Sequence, residues 1–311
     1  MINDWKTKGS TGNVVRSDNT LLAYFQKFGF NAGKSDRKGS EWIKYKLNEL
    51  SISFKSLKYL SDILICKLSV INNPENPRRI ANAEFIAGLE AFAHSLGVQD
   101  IGYTKIVPGL LFKDNVALYP NVIVFTLEMD KDKMSTAPSK IAFEMIHGTY
   151  SRLNTIAILL ATYIRKNGYG AQASPATLGM AHYPPLAEMA GLGCRGWHGL
   201  LITPTFGPRQ RIAIIFTSID DLPFAEQNEH LWISDFCNKC HKCVRECPVS
   251  AIPSELVFDE YGHQKHLDSQ KCVAYFSQNY GCSICVKKCT FNVSSYEKIK
   301  RSFLKNQENI S

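Results

Sequence analysis

The chain has 311 residues, 45% hydrophobic and 21% charged, and a formal net charge of +8. That length can bury a substantial core, and that balance excludes an intrinsically disordered chain. The longest apolar run, residues 155–164, is about half the ~20 residues a membrane span requires, and the N-terminus shows no basic-then-apolar leader and no twin-arginine pair, so the expected location is cytoplasmic.

Residues 1–80 form a basic N-terminal segment, with fourteen Lys/Arg against seven Asp/Glu up to Arg79. It mixes a short amphipathic piece, 41–50, with Gly/Ser/Lys-rich stretches and ends in the turn-forming run 72–77. Such a surface can meet nucleic acid, an acidic redox partner or an anionic cofactor, or be no more than a solvated lysine-rich face. From Ala83 the pattern sharpens: Phe85, Ile86, Leu89, Phe92, Ala93 and Leu96 recur at helical spacing, and Gly97 is placed to end the helix. Residues 99–106 and 121–127 read as strands, the second apolar on both faces. A long helix is expected over 141–166, stopped by Asn167 and Gly168. After it come a short helix at 185–190 and strands at 200–203 and 212–217. Residues 83–225 therefore read as an α+β layer domain.

Gly191, Gly193 and Gly196 match GxGxxG letter by letter. A dinucleotide fingerprint needs a strand before it and a helix after it. Here a helix precedes and a strand follows. The glycines read instead as a tight, close-approach turn, at which a cofactor could lie against bare backbone.

Eight of the ten cysteines lie between Cys237 and Cys289. Cys237, Cys240, Cys243 and Cys247, followed by Pro248, have the C-x2-C-x2-C-x3-C-P spacing of bacterial ferredoxins, in which the fourth cysteine ligates the other cubane. The second run keeps Cys282, Cys285 and Cys289 at C-x2-C-x3-C, with its first cysteine, Cys272, displaced upstream. Crossed ligation assigns Cys237, Cys240, Cys243 and Cys289 to cluster I and Cys247, Cys272, Cys282 and Cys285 to cluster II. Zinc, which takes four ligands usually as two C-x2-C pairs, has no use for a third cysteine at the next three-residue step. Thr290 stands where a proline usually follows. His241, inside the cluster loop, is expected to tune or shield cluster I, while Cys66 and Cys194 read as buried thiols. Residues 230–295 form this two-cluster module, and 296–311 are a C-terminal tail.

The runs Ala190 to Gly193, Gly199 to Pro204 and Phe206 to Arg211, with the displaced Cys272 and the stretch Asn279 to Cys282, resemble the reductive dehalogenase and epoxyqueuosine reductase superfamily, on its dehalogenase-like branch. The resemblance covers about residues 83–292. It implies a nitroreductase-like α+β domain holding base-off cobalamin beside cluster II, with electrons passing from cluster I through cluster II to the corrinoid. Gly193, Gly196, His198, Gly199, Leu200 and Thr203 are the positions it implies for cofactor binding. It also implies a proton-donating Tyr150, in the run Tyr150, Ser151, Arg152, and a charge-steadying Arg211. A phenol can deliver a proton to a carbanion or leaving group, and a guanidinium can steady the negative charge that develops. Either residue could instead be structural, the tyrosine as a core-packed ring and the arginine at a strand edge. The family's amide or lysine between these two has no counterpart, since Ala176 or Thr177 falls at its place. His182 and Tyr183 are the nearby polar substitutes. Three functions are then open. One is a cobalamin-dependent reductase of a small organic substrate, fed by ferredoxin or flavodoxin. The others are a tRNA-modifying reductase of the epoxyqueuosine type and a non-catalytic dicluster carrier or corrinoid-protein activator.

Overall fold

The structure, a computed structural model, describes residues 61–308 apart from 63, 67, 113, 114, 178 and 259–263. The amphipathic piece at 41–50 and most of the basic segment lie outside the described residues.

Four antiparallel strands make the central sheet in the order β1-β2-β6-β3: β1 Ile101–Lys105, β2 Asn121–Glu128, β3 Ala171–Ser174 and β6 Gln210–Thr217. The second strand is buried at every residue but its last, as its unbroken apolar run requires. One face carries Ile123, Phe125, Leu127, Ala213 and Ile215 against α1 (Ala83–Ser95) and α3 (Lys140–Lys166), the latter preceded by the short α2 (Lys131–Ser135). The other carries Val122, Val124, Ile214 and Phe216 against α4 (Tyr183–Met189) and the connection around Leu111 and Ala117. Helices α1 and α3 start where Asn82 and Ser139 accept the backbone N–H groups of Phe85 and Ala142. Helix α1 ends at Gly97, whose φ of +92° continues the chain at no Cβ cost, and Arg152 of α3 donates to its terminal Leu96 carbonyl at 3.0 Å. The arginine of the Tyr-Ser-Arg run is thus a helix cap.

Two expected boundaries move. The Asn73 side chain accepts from Ala171 N–H, Arg78 N–H donates to Gly168, and Arg79 pairs with Asp220 at 2.6 Å, so the chain from about residue 69 belongs to the sheet layer. The tail begins as a helix, α10 (Tyr296–Glu308), in which Tyr296 and Ile299 pack into the cysteine module. Strand β3 had no forecast, and neither did the two-residue β4 (Cys194–Arg195), which pairs with β5 (Leu201–Ile202).

The cysteine module comprises α5 (Trp232–Cys240), α6 (Lys242–Arg245), the β7–β8 ribbon (Val257–Phe258 and Gln264–Lys265), α7 (Ser269–Phe276), α8 (Ile284–Lys288) and α9 (Thr290–Val293). It meets the sheet layer at two seams. In one, Trp197 and Ile202 from the β4–β5 hairpin pack with Ile233, Cys237 and Phe291. In the other, Met129, Met134 and Ile146 pack with Val286, and Tyr150, Leu200 and Cys285 border them. Among the described residues no helix is long and apolar enough to cross a membrane.

Candidate electron-transfer and catalytic site

His241 separates α5 from α6 in the left-handed region, at φ 45° and ψ 22°, and that reversal brings Cys237, Cys240 and Cys243 round one point. With Cys289, from the turn between α8 and α9, they line a small cavity that Trp197, His198 and His241 also wall. Burial above all, then the neighbouring Cys289, Cys240 and Cys243, push the Cys237 thiol up to about 12, against a backbone N–H of Trp197 that lowers it. Cys289 reaches about 12 through burial, with Cys243 and Cys240 adding.

The second quartet gathers in the same way. Tyr280, Gly281, Cys282 and Ser283 all have positive φ, a run that L-residues adopt only where surrounding structure compels it. Burial pushes Cys272 up to about 11 and Cys285 up to about 12; Cys282 and Cys247 add to the first, Cys282 and Cys272 to the second. Cys243 of the first quartet also raises Cys285, so the two quartets adjoin there. The donor sets suit cubane iron: eight thiols in two fours, able to bind a cationic core as thiolates. Hydrogen-bond donors face the sulfurs too. Ala251 N–H donates to Cys247 at 3.3 Å, backbone bonds from Trp197 and His198 reach Cys237 and Cys243, and the Thr290 hydroxyl lies 3.3 Å from Cys240 Sγ. Where proline would only stiffen the turn, threonine adds a polar contact to a cluster sulfur.

On the sheet side, the guanidinium carbon of Arg211 sits 4.7 Å from the centre of the Tyr150 ring. Both side chains are half-buried, and the Nε of Arg211 is buried with no partner among the described residues. The other arginine of the Gly-Pro-Arg-x-Arg run is committed elsewhere, since Arg209 pairs with Glu128 at 2.6 Å and donates to the Met129 carbonyl. The antiparallel register pairs Ser174 with Ile214, and β3 ends there, three residues short of Thr177. The Thr177 hydroxyl is buried with no partner among the described residues. Asn154, one turn past Tyr150 on α3, accepts from Ala176 N–H at 2.8 Å through Oδ1, and its buried Nδ2 has no partner among the described residues. Sequence reasoning missed Asn154; an asparagine at i+4 from the tyrosine inside an apolar helix was the available signal. The suggested substitutes do not reach this place. Tyr183 packs on the opposite face of the sheet and donates to the Pro175 carbonyl at 2.7 Å, and His182 stacks edge-on to Phe112. An open groove of about 480 Å³, lined by Leu127, Glu128, Lys133, Met145, Thr149 and others, runs between the end of β2 and α3.

The glycine turn serves the chain itself. A Cβ on Gly193 would strike the Ile202 carbonyl, one on Gly196 would lie 2.6 Å from Ile202 Cδ1, and one on Gly199 would lie 2.7 Å from His266 Cβ. Thr203 is fully buried, exchanges backbone hydrogen bonds with Gly207 and accepts Phe206 N–H on its hydroxyl. Leu200 N–H donates to His198 Nδ1 at 3.2 Å. Helix-before, strand-after is the observed order, and the turn projects Trp197 and His198 into the wall of the first cysteine cavity. Cys66 and Cys194 are both buried, Cys66 under α3 and Cys194 beside Cys237.

Residues 230–252 match the 4Fe-4S binding domain family. Tetrachloroethene reductive dehalogenase from Desulfitobacterium hafniense is 34% identical over 210 residues, covering 63% of this chain and 37% of that protein. Epoxyqueuosine reductase from Listeria monocytogenes is 23% identical over 256 residues, covering 66% of this chain and 64% of the relative. Among solved structures, a catabolic reductive dehalogenase in complex with 3-bromo-4-hydroxybenzoic acid superposes with a TM-score of 0.63 at 23% identity, over 78% of this chain and 38% of that one. The chain thus spans little more than a third of the dehalogenases it matches. It is related in sequence to reductive dehalogenases and to epoxyqueuosine reductases, both oxidoreductases, and shares the mixed helix-and-sheet fold of the former.

Proposed function

We propose that this chain is an iron–sulfur reductase of the dehalogenase-like type. In this reading two 4Fe-4S clusters, one on each cysteine quartet, carry electrons from a ferredoxin or flavodoxin toward a small organic substrate beside Tyr150 and Arg211. The observation that carries it is the continuity of the path: Cys285 packs against the buried group that holds Cys243, and it also borders the packed group that Tyr150 borders, with Arg211 on its ring. Bound clusters supply single electrons. The protein supplies the rest. Tyr150 holds a proton at its hydroxyl for a carbanion or leaving group; Arg211 fixes the ring and offers positive charge where negative charge develops. The groove beside α3 falls within the usual size range for small-molecule pockets and gives the substrate a way in.

A nitroreductase-like layer domain and a base-off corrinoid as final acceptor belong to the same reading, supported by the dehalogenase relatives and by a solved reductive dehalogenase described as suggesting a mechanism for B12-dependent dehalogenation. The glycine turn offers such a group little open backbone, because Ile202 and His266 occupy the Cβ side of Gly193, Gly196 and Gly199. We therefore assign the corrinoid no contacts among those residues. The test is anaerobic reconstitution with iron, sulfide and hydroxocobalamin, followed by reduction assays on halogenated aromatics and alkenes and on epoxyqueuosine-containing tRNA. Turnover of a small organic substrate that falls in Tyr150→Phe with iron content unchanged supports the reading. Turnover of the tRNA alone would replace it with the epoxyqueuosine-type alternative, and electron transfer with no turnover of either would leave a dicluster carrier.

A further inference from the structure

His198 has a place in the fold that the proposed electron path does not yet use. The histidine is 7% exposed, sits at the tip of the β4–β5 hairpin and forms part of the wall round Cys237, Cys240, Cys243 and Cys289. Leu200 N–H donates to its Nδ1 at 3.2 Å. A backbone N–H can only donate, so Nδ1 is the bare nitrogen and the ring hydrogen belongs on Nε2. That Nε2–H is buried and has no partner among the described residues. A buried N–H without an acceptor is costly, about 1–3 kcal/mol, and native structures rarely leave one unmet. The backbone N–H of the same residue already reaches the Cys243 sulfur. His198 lines the cavity that the four thiols also line, and a cubane's sulfurs are acceptors.

We propose that His198 donates a hydrogen bond from Nε2–H to a sulfur of the cluster held by Cys237, Cys240, Cys243 and Cys289, and that this bond raises the cluster's reduction potential. The inference rests on the cluster assignment of the proposed function. Its physical reason is general: one-electron reduction adds negative charge to the cluster sulfurs, and a donor aimed at them favours the reduced form. The reversed glycine motif acquires a purpose too. Gly193 and Gly196 let the hairpin close against Ile202, and Gly199, at φ +76°, lets the chain turn back under His266, so that Trp197 and His198 are delivered to the cluster as a rigid unit. Trp197 is pinned by its indole N–H to the Pro253 carbonyl at 2.6 Å, and its own carbonyl meets His266 Nδ1 at 3.0 Å. His241, the other histidine of this wall, lies edge-on to Trp197, and its Nε2 too is buried with no partner among the described residues; no backbone N–H fixes its tautomer, so it is the rival donor that the variants separate.

The test uses the holoprotein with isotopically labelled histidine, reduced and examined by pulsed electron paramagnetic resonance, together with redox titrations of His198→Phe, His198→Gln and His241→Phe. The expected result is a histidine-nitrogen coupling to one of two reduced clusters, lost in His198→Phe and kept in His241→Phe. One of the two potentials should move to a more negative value in His198→Phe and return toward the wild-type value in His198→Gln, whose amide can donate from a similar position. Unchanged potentials in His198→Phe, or no histidine coupling in the wild-type protein, would overturn the role. A coupling lost in His241→Phe and kept in His198→Gln would also overturn the role, so the assignment stands even if His198→Phe loses its cluster. Iron analysis separates the failures: about eight irons without coupling overturns His198 alone, whereas a missing cluster overturns it together with the functional reading beneath it.

Discussion

Arg211 lies with its guanidinium 4.7 Å from the centre of the Tyr150 ring, joining β6 of the sheet to α3 across the layer boundary. The contact joins two residues 61 positions apart that register and helix phase bring to one spot. A cation on an aromatic face contributes roughly 0.5–2 kcal/mol, enough to hold the ring in one rotamer. It orients the phenol without occupying its hydroxyl.

Tyr150→Phe should therefore keep the fold and the iron but lose turnover by about 100- to 10,000-fold, the usual worth of a positioned general acid. Steady-state assays beside iron analysis check this. Equal activity in the two proteins would make Tyr150 a packing residue.

The crossed cysteine assignment separates two single variants. Cys289→Ala should deplete the cluster built on Cys237, Cys240 and Cys243, lowering iron from about eight to about four per chain, although Cys289 is closest in sequence to Cys285. Cys247→Ala should spare that cluster and deplete the other. Iron analysis and the reduced-state resonance spectrum report which signal survives.

Thr290→Val removes the hydroxyl 3.3 Å from Cys240 Sγ and changes little else in shape. At about 1 kcal/mol for one hydrogen bond, the nearby cluster should become harder to reduce by roughly 40 mV. A redox titration in which neither cluster moves would show that the hydroxyl points elsewhere.

His230 gives the module a dependence on pH. Its Nδ1 lies 2.8 Å from the Tyr296 hydroxyl, which accepts the Trp232 indole N–H at 2.9 Å, so the tyrosine is placed to donate to an unprotonated His230. Burial, then Lys300, hold His230 below the usual histidine value, against Glu229 and Asp100. Because the folded value is depressed, this contribution to stability is complete above the ordinary histidine range and is lost as pH falls through the folded value. Thermal unfolding of the holoprotein at falling pH should show a decline that His230→Phe reduces; parallel declines in both proteins would place the acid sensitivity elsewhere.

Much of this architecture is legible in the chain alone. The cysteine spacing announces two quartets because thiolates round a cubane must recur at short fixed intervals. Helix α3 is visible because its buried set from Ala142 to Ile164 keeps one phase over 27 residues. Strand β3 is invisible for the opposite reason. Its residues, Ala171 to Ser174, have neither branched nor aromatic bulk, and the pairing with β6 decides their conformation. The pairing of Tyr150 with Arg211 came only from resemblance, since no local pattern links a helix tyrosine to a strand arginine. Asn154 escaped because its significance lies in an unpartnered atom, which has no signature in sequence, and His198 was named only as a cofactor-side position that the resemblance implied.

The most direct test of the central claim is the iron and acid-labile sulfide content of anaerobically reconstituted, desalted protein. Two quartets of thiolates predict about eight of each per chain, with two reduced-cluster signals close enough to interact. Retained zinc without sulfide, or about four irons with a single signal, would contradict the two-cluster path from which the reductase reading follows.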